Sequence, residues 1–209
     1  MADQTSRFNA ILLFGAPGAG KGTQGKMLAA IPGFCHVSTG DMFRSLDEST
    51  DLGKEIGGYM SAGDLVPDEL TMRLLRDHLS ARIAREEFKP DADLIVLDGV
   101  PRSTEQAELL EPLIAVQAVV HLTADARPLI ERLKRRAVKE HRPDDAEEDV
   151  VQHRLEVYEQ ETRPVLNVYP PDKVHEIDAI GLPARVLHRV LETVVPIVEQ
   201  HAAAARSSV

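Results

Sequence analysis

Five short, mostly apolar runs punctuate the chain: AILLF at 10–14, FCHVS at 34–38, LIVLD at 94–98, AVVHL at 118–122 and KVHEI at 173–177. Runs of this length, separated by amphipathic stretches, predict parallel strands covered on both faces by helices. The stretches QGKMLAAI, PDELTMRLLRDHLSARIAREE and STEQAELLEPLIAV read as such helices. Pro67 suits the first turn of the second, and Asp68 and Glu69 favour its positive end. DDAEEDVVQHRLEVYEQET predicts a further helix, acidic at its N-terminus, with Val151, Leu155 and Tyr158 on one face. The Ala-rich end after Val198 is expected to fray. With no internal repeat and no long linker, the pattern implies one domain over 1–209: an α/β, doubly wound, parallel five-stranded sheet with helices on both faces and small insertions.

Composition narrows the function classes. Hydrophobic content of 43% and charged content of 28% are those of a soluble globular protein. No apolar run nears the roughly 20 residues that span a bilayer, and the start, MADQTSRFNAILLFG, reads as the approach to a buried strand, not a signal peptide. A single cysteine, Cys35, excludes an internal disulfide, suits a reducing cytoplasm and reads as a small apolar strand residue. The net charge of −10 argues against nucleic acid and membrane surfaces as partners. One segment opposes it: 127–142 carries seven basic and two acidic residues, a local charge of +5. A positive island on an acidic protein suits a small, highly charged anion.

Chemistry enters at GAPGAGKGTQ, directly after the first strand. A strand, a glycine-rich turn and a helix make a phosphate loop, or P-loop. Gly15, Gly18, Gly20 and Gly22 let successive backbone N–H groups face phosphate oxygens, and the helix adds its positive end. Lys21 is placed to reach the β- and γ-phosphates. The common pattern follows this lysine with a Ser or Thr hydroxyl for magnesium. Here Gly22 intervenes, and the hydroxyl arrives one residue late, at Thr23. The second strong segment is LIVLDGVPRSTEQ. Its Asp98, ending an apolar strand, stands where such a fold turns an acid toward magnesium, through water; the other reading is a turn cap beside Gly99.

Together these segments resemble the adenylate kinases of the nucleoside-monophosphate kinase family, from Ile11 to about Val195. GAPGAGKGTQ is similar to that family's loop, in which glycine separates the lysine from the threonine. HVSTGDMFR and LVPDEL resemble its acceptor-nucleotide segments, LDGVPRSTEQA its Asp-Gly-Phe-Pro-Arg segment, and RPDD with RLEVYEQETRPVLNVY the end of its lid and the next helix. The resemblance implies reversible Mg-dependent phosphoryl transfer from ATP to AMP, giving two ADP, by a cytoplasmic monomer. It implies a core of about 8–38, 88–125 and 165–200, an acceptor-binding helical insertion over 39–87 and a lid over 132–145. ATP would meet Ala16, Pro17, Gly18, Ala19, Gly20, Lys21, Gly22, Thr23, Arg132 and Arg136. AMP would meet Thr39, Gly40, Arg44, Leu65, Val66, Gly99, Arg102, Gln106, Arg142 and Arg154. Catalytic charge would come from Lys21, Arg132, Arg136, Arg142 and Arg154, whereas Lys134, Arg135 and Lys139 read as solvated.

Thr39 and Gln106 point to adenine as the acceptor base, since an amide has donors and acceptors to pair with its edge; a UMP or CMP kinase and a non-catalytic ATP-binding regulator are the alternatives. Only AVKEH separates Arg136 from Arg142, so the resemblance is to the short-lid form, with no structural zinc; His141 is a poor candidate ligand without cysteines. His36 and His121 read as strand residues. Three positions depart from the pattern. Val100 replaces the usual phenylalanine, Asp64 stands where many relatives have a basic residue, and one extra residue puts His153 where a simple count expects arginine. Arg154 takes that role here because it keeps its spacing to Leu155 and Tyr158.

Overall fold

A computed structural model describes residues 7–140 and 142–207. The five apolar runs form strands β1 (Phe8–Phe14), β2 (Phe34–Ser38), β3 (Leu94–Asp98), β4 (Ile114–Thr123) and β5 (Val174–Asp178). They make one parallel sheet in the order β2-β3-β1-β4-β5. Between and after them run α1 (Lys21–Ala29), α2 (Thr39–Arg44), α3 (Asp51–Ala62), α4 (Asp68–Ala84), α5 (Thr104–Leu110), α6 (Ala126–Lys139), α7 (Glu148–Val157) and α8 (Pro183–Ser207).

Alternation along β1 divides the core in two. Ala10, Leu12 and Phe14 pack with Met72, Leu75 and Leu79 of α4 and with Ala107 and Leu110 of α5. Ile11 and Leu13 pack on the other face with Leu28 of α1, Leu129 of α6 and Val186, Val190 and Val194 of α8. Each buried Leu, Ile or Val contributes roughly 1.5–3 kcal/mol, so a helical layer on each face is the stable arrangement. The pairing also levels the carboxyl ends of the strands. Leu13 and Ser38 both pair with Asp98, and Phe14 pairs with His121. The phosphate loop and Asp98 therefore emerge side by side on one edge of the sheet, where open α/β sheets bind ligands.

Several boundaries differ from the sequence pattern. The helix expected through Val116 stops at Leu110, because Pro112 cannot donate a helical hydrogen bond. Ile114–Val116 instead begin β4, where the pairing shifts between Ala10 and Ile11 and leaves Gln117 as a bulge. The helix expected from Asp144 starts only at Glu148, since Asp144 and Asp145 form a separate 3-10 turn. Its C-terminal end widens into a π turn, Tyr158–Thr162, and tightens again over Arg163–Val168. The tail expected to fray is helical along its backbone to Ser207, in keeping with the high helix propensity of alanine.

Candidate functional site

The loop between β1 and α1 is shaped by its glycines. Gly18 has φ +85°, and a Cβ there would lie 2.7 Å from the Leu129 carbonyl oxygen of α6. Gly20, with φ +99°, caps α1 in a left-handed conformation that side chains rarely adopt. Within this turn the Lys21 ammonium donates to the carbonyls of Gly15 at 2.6 Å and Ala16 at 3.2 Å. Burial pulls its pKa down to about 8, against the opposing pull of Asp98; Arg102, Arg136 and Arg154 lower it further. Pro17, Gly18, Gly20, Lys21, Gly22 and Thr23 line the cleft. Ala16 and Ala19 do not; Ala19 is 2% exposed in the core.

Gly22 lies opposite Asp98. A Cβ at that position would sit 3.5 Å from Asp98 Oδ2, an ordinary contact. Asp98 is 7% exposed and lines the cleft; among the described residues nothing donates a hydrogen bond to its carboxylate, and His36 Nε2 lies 3.8 Å away. A carboxylate that faces the cleft beside a phosphate loop, with no protein donor on it, fits a hydrated divalent cation.

On the other side of Asp98 lies the candidate acceptor half. Gly40, Arg44, Leu65, Val66, Gly99, Arg102 and Gln106 all line the cleft. Arg44 is bonded to Asp41, which also meets Lys26 at 3.4 Å. Burial and the nearby Arg154 lower Arg102 to about 10, so its guanidinium stays charged at neutral pH. Its Nε donates to the Gly99 carbonyl at 2.9 Å. Thr39 lies directly behind this wall: it is 1% exposed, and its hydroxyl donates to the carbonyl of Gly99 at 2.9 Å, tying α2 to the residue after β3.

The third group assembles from α6, the connection after it and α7. Arg136 holds Asp145 through two hydrogen bonds of 2.6 and 2.9 Å. Arg154 Nη1 reaches Asp145 at 2.6 Å and Asp144 at 2.8 Å, while Arg142 approaches Asp144 at 3.3 Å. Burial alone would raise the Asp145 carboxyl, but Arg136 and then Arg154 hold it below the usual range. Arg136, Arg142, Arg154 and Asp144 line the cleft. Arg132 does not: it donates to the Ala179 carbonyl at 2.8 Å and approaches that of Gly18, bracing the loop from behind.

Side-chain partners that sequence reasoning missed explain this geometry. Lys26, Asp41 and the two acids of RPDD lie inside segments singled out for other residues, but some of their contacts join different elements, as Lys26 with Asp41 and Asp145 with Arg136 and Arg154. Tyr158, at the π turn, lines the cleft and shares a 2.9 Å hydrogen bond with buried His121. The extra residue before Arg154 has a visible consequence. Arg154 faces the cleft, while His153 lies at its rim, 2.7 Å from Asp64. Gly63 packs so tightly beneath them that a Cβ would meet Arg154 Cγ at 2.8 Å. Val100 is 2% exposed within the core, and Cys35 is a buried free thiol. His141 lies outside the described residues.

The family model for adenylate kinase matches residues 13–174. The chain is 41% identical over 187 residues to the adenylate kinase of Clavibacter michiganensis subsp. michiganensis (strain NCPPB 382), covering 86% of this chain and 90% of the relative. It is 41% identical over 188 residues to that of Thermobifida fusca (strain YX), covering 87% and 95%. The adenylate kinase of Mycobacterium tuberculosis (strain ATCC 25177 / H37Ra) is also 41% identical, over 187 residues, covering 87% and 96%. The chain belongs to the adenylate kinase family and is an enzyme of phosphoryl transfer to nucleoside monophosphates.

Proposed function

We propose that this member of the adenylate kinase family transfers the γ-phosphoryl group of ATP to AMP, reversibly and with magnesium, giving two ADP and balancing the adenine nucleotide pool. The observation that carries the reading is the convergence of a lysine-bearing phosphate loop and Arg102, Arg136, Arg142 and Arg154 on one cleft. The loop amides and Lys21 bind the ATP phosphates, and Arg44 and Arg102 hold the acceptor phosphate. An oxygen of that phosphate attacks the γ-phosphorus as the bond to the ADP oxygen breaks. No side chain has to remove a proton, because the acceptor is already anionic near neutral pH, with a second pKa of about 6. The enzyme's task is alignment and charge neutralisation.

The contacts of the cluster support a division of labour. Asp144 and Asp145 keep Arg136, Arg142 and Arg154 together and compensated in the free enzyme, and nucleotide phosphates compete with them for the same guanidinium groups. Arg132 supports the loop backbone. Asp98 would hold the magnesium of Mg·ATP through water, and the ion would supply neutralising charge to the phosphates. The connection between Arg136 and Arg142 works without structural zinc. The reading takes the enzyme as a monomer acting on free nucleotides; a reducing cytoplasm suits its buried free thiol.

The test is ADP formation from ATP with AMP, dAMP, UMP, CMP and GMP in parallel, with and without magnesium. The expected result is a strong preference for AMP that is lost when magnesium is chelated. A preference for UMP or CMP would overturn the acceptor assignment, and undiminished turnover in chelator would overturn the role of the metal.

A further inference from the structure

Gln106 is 2% exposed, yet it lines the cleft. Its Oε1 accepts the Arg102 backbone N–H at 2.8 Å, and its Nε2 donates to Asp68 Oδ1 at 2.7 Å. The other oxygen of Asp68 accepts the Ser103 hydroxyl at 2.9 Å, and Ser103 Oγ in turn accepts the Gln106 backbone N–H at 3.0 Å as the cap of α5. A backbone N–H can only donate, and a carboxylate can only accept. The two ends of the amide are therefore held by opposite demands, and turning it over would set donor against donor and acceptor against acceptor. An amide offers two N–H groups and two lone pairs on its oxygen. One of each is used, leaving one of each for a ligand.

We propose that Asp68, at the start of α4 and outside the cleft wall, is the positioning residue that sets acceptor-base selectivity by holding the Gln106 amide in one orientation. An amide of fixed orientation matches one order of donor and acceptor along a base. Adenine presents an amino donor at position 6 beside an unprotonated N1. Hypoxanthine presents a carbonyl acceptor beside N1–H, the reverse order. With the acceptor phosphate clamped by Arg44 and Arg102, the base cannot turn over to compensate. A held amide thus accepts 6-aminopurines and rejects 6-oxopurines; without Asp68 only the Arg102 N–H opposes its turning, so the preference relaxes. This role rests on the reading that AMP is the acceptor.

The test compares kcat/KM for AMP and IMP in the parent enzyme, Asp68→Asn and Asp68→Ala, with KM for ATP and melting temperature measured alongside. Asparagine keeps the shape of the side chain but can present either a donor or an acceptor to Gln106. The expected result is a parent that strongly favours AMP, and an IMP/AMP ratio that rises about tenfold or more in both variants, with KM for ATP near the parent value. Equilibrium binding of AMP and IMP gives the same ratio independently of turnover. Equal losses for AMP and IMP, leaving the ratio unchanged, would reduce Asp68 to a structural role and overturn the proposal while leaving AMP as the acceptor. A parent that uses IMP as well as AMP would overturn this role alone, whereas a parent that turns over neither would overturn the acceptor reading on which it rests.

Discussion

The phosphate loop and the arginine cluster face each other across the cleft, and they are built in opposite ways. The loop is a contiguous stretch whose shape comes from backbone torsions, with Gly18 and Gly20 at positive φ. Its binding groups are main-chain amides and one lysine whose neighbours in sequence are its neighbours in space. The cluster draws Arg136 from α6, Arg142 from the connection and Arg154 from α7, and two carboxylates join the three guanidinium groups. Preorganisation is conformational in the first region and electrostatic in the second. The loop should therefore lose chemistry when its charge is removed and keep its shape. The cluster should lose both, because its charges are also its scaffold.

The largest expected effect is at the loop. Lys21→Ala should lower kcat by about a hundred- to a thousandfold, the scale of a lost transition-state charge partner, with a melting temperature close to the parent. A variant of near-normal activity would remove the loop from the chemistry. Next comes Asp145→Asn, which leaves arginines facing an uncharged group at a fully covered position. Breaking a buried pair on one side costs about 3–5 kcal/mol, and denaturant titration of the free enzyme should show a loss of that order. The loss should shrink when ATP and AMP analogues are bound together, since their phosphates supply the missing negative charge. An equal loss with and without nucleotides would mean that the carboxylates and phosphates do not share the arginines.

The smallest effect concerns pH. In the free enzyme Lys21 is charged below its pKa of about 8 and neutral above it, and only the ammonium attracts phosphate. kcat/KM for ATP should therefore fall above pH 8, by about tenfold per unit at the limit. Bound phosphates stabilise the ammonium, so kcat itself should stay flat over the same interval. In Lys21→Arg the fall should move beyond the accessible range. A flat kcat/KM profile in the parent would show that burial does not weaken this ammonium.

The sequence by itself determined the strands, the two-sided core and the phosphate loop. Those features depend on short-range pattern: continuous apolar runs need cover on both faces, and glycines around a lysine leave few conformations. It also carried the candidate arginines, as members of ordered segments. Only the tertiary structure decided what each side chain meets. Arg132 and Arg136 lie one helical turn apart on α6, yet one donates to the Ala179 carbonyl and approaches that of Gly18, and the other holds Asp145. Thr39 is occupied by the Gly99 carbonyl just after β3, and Gln106 is held by a carboxylate from the start of α4. Such contacts join residues as far apart as 60 positions along the chain. Local pattern specifies an element and its buried face, whereas a polar partner depends on where the packed elements leave two side chains within hydrogen-bond reach.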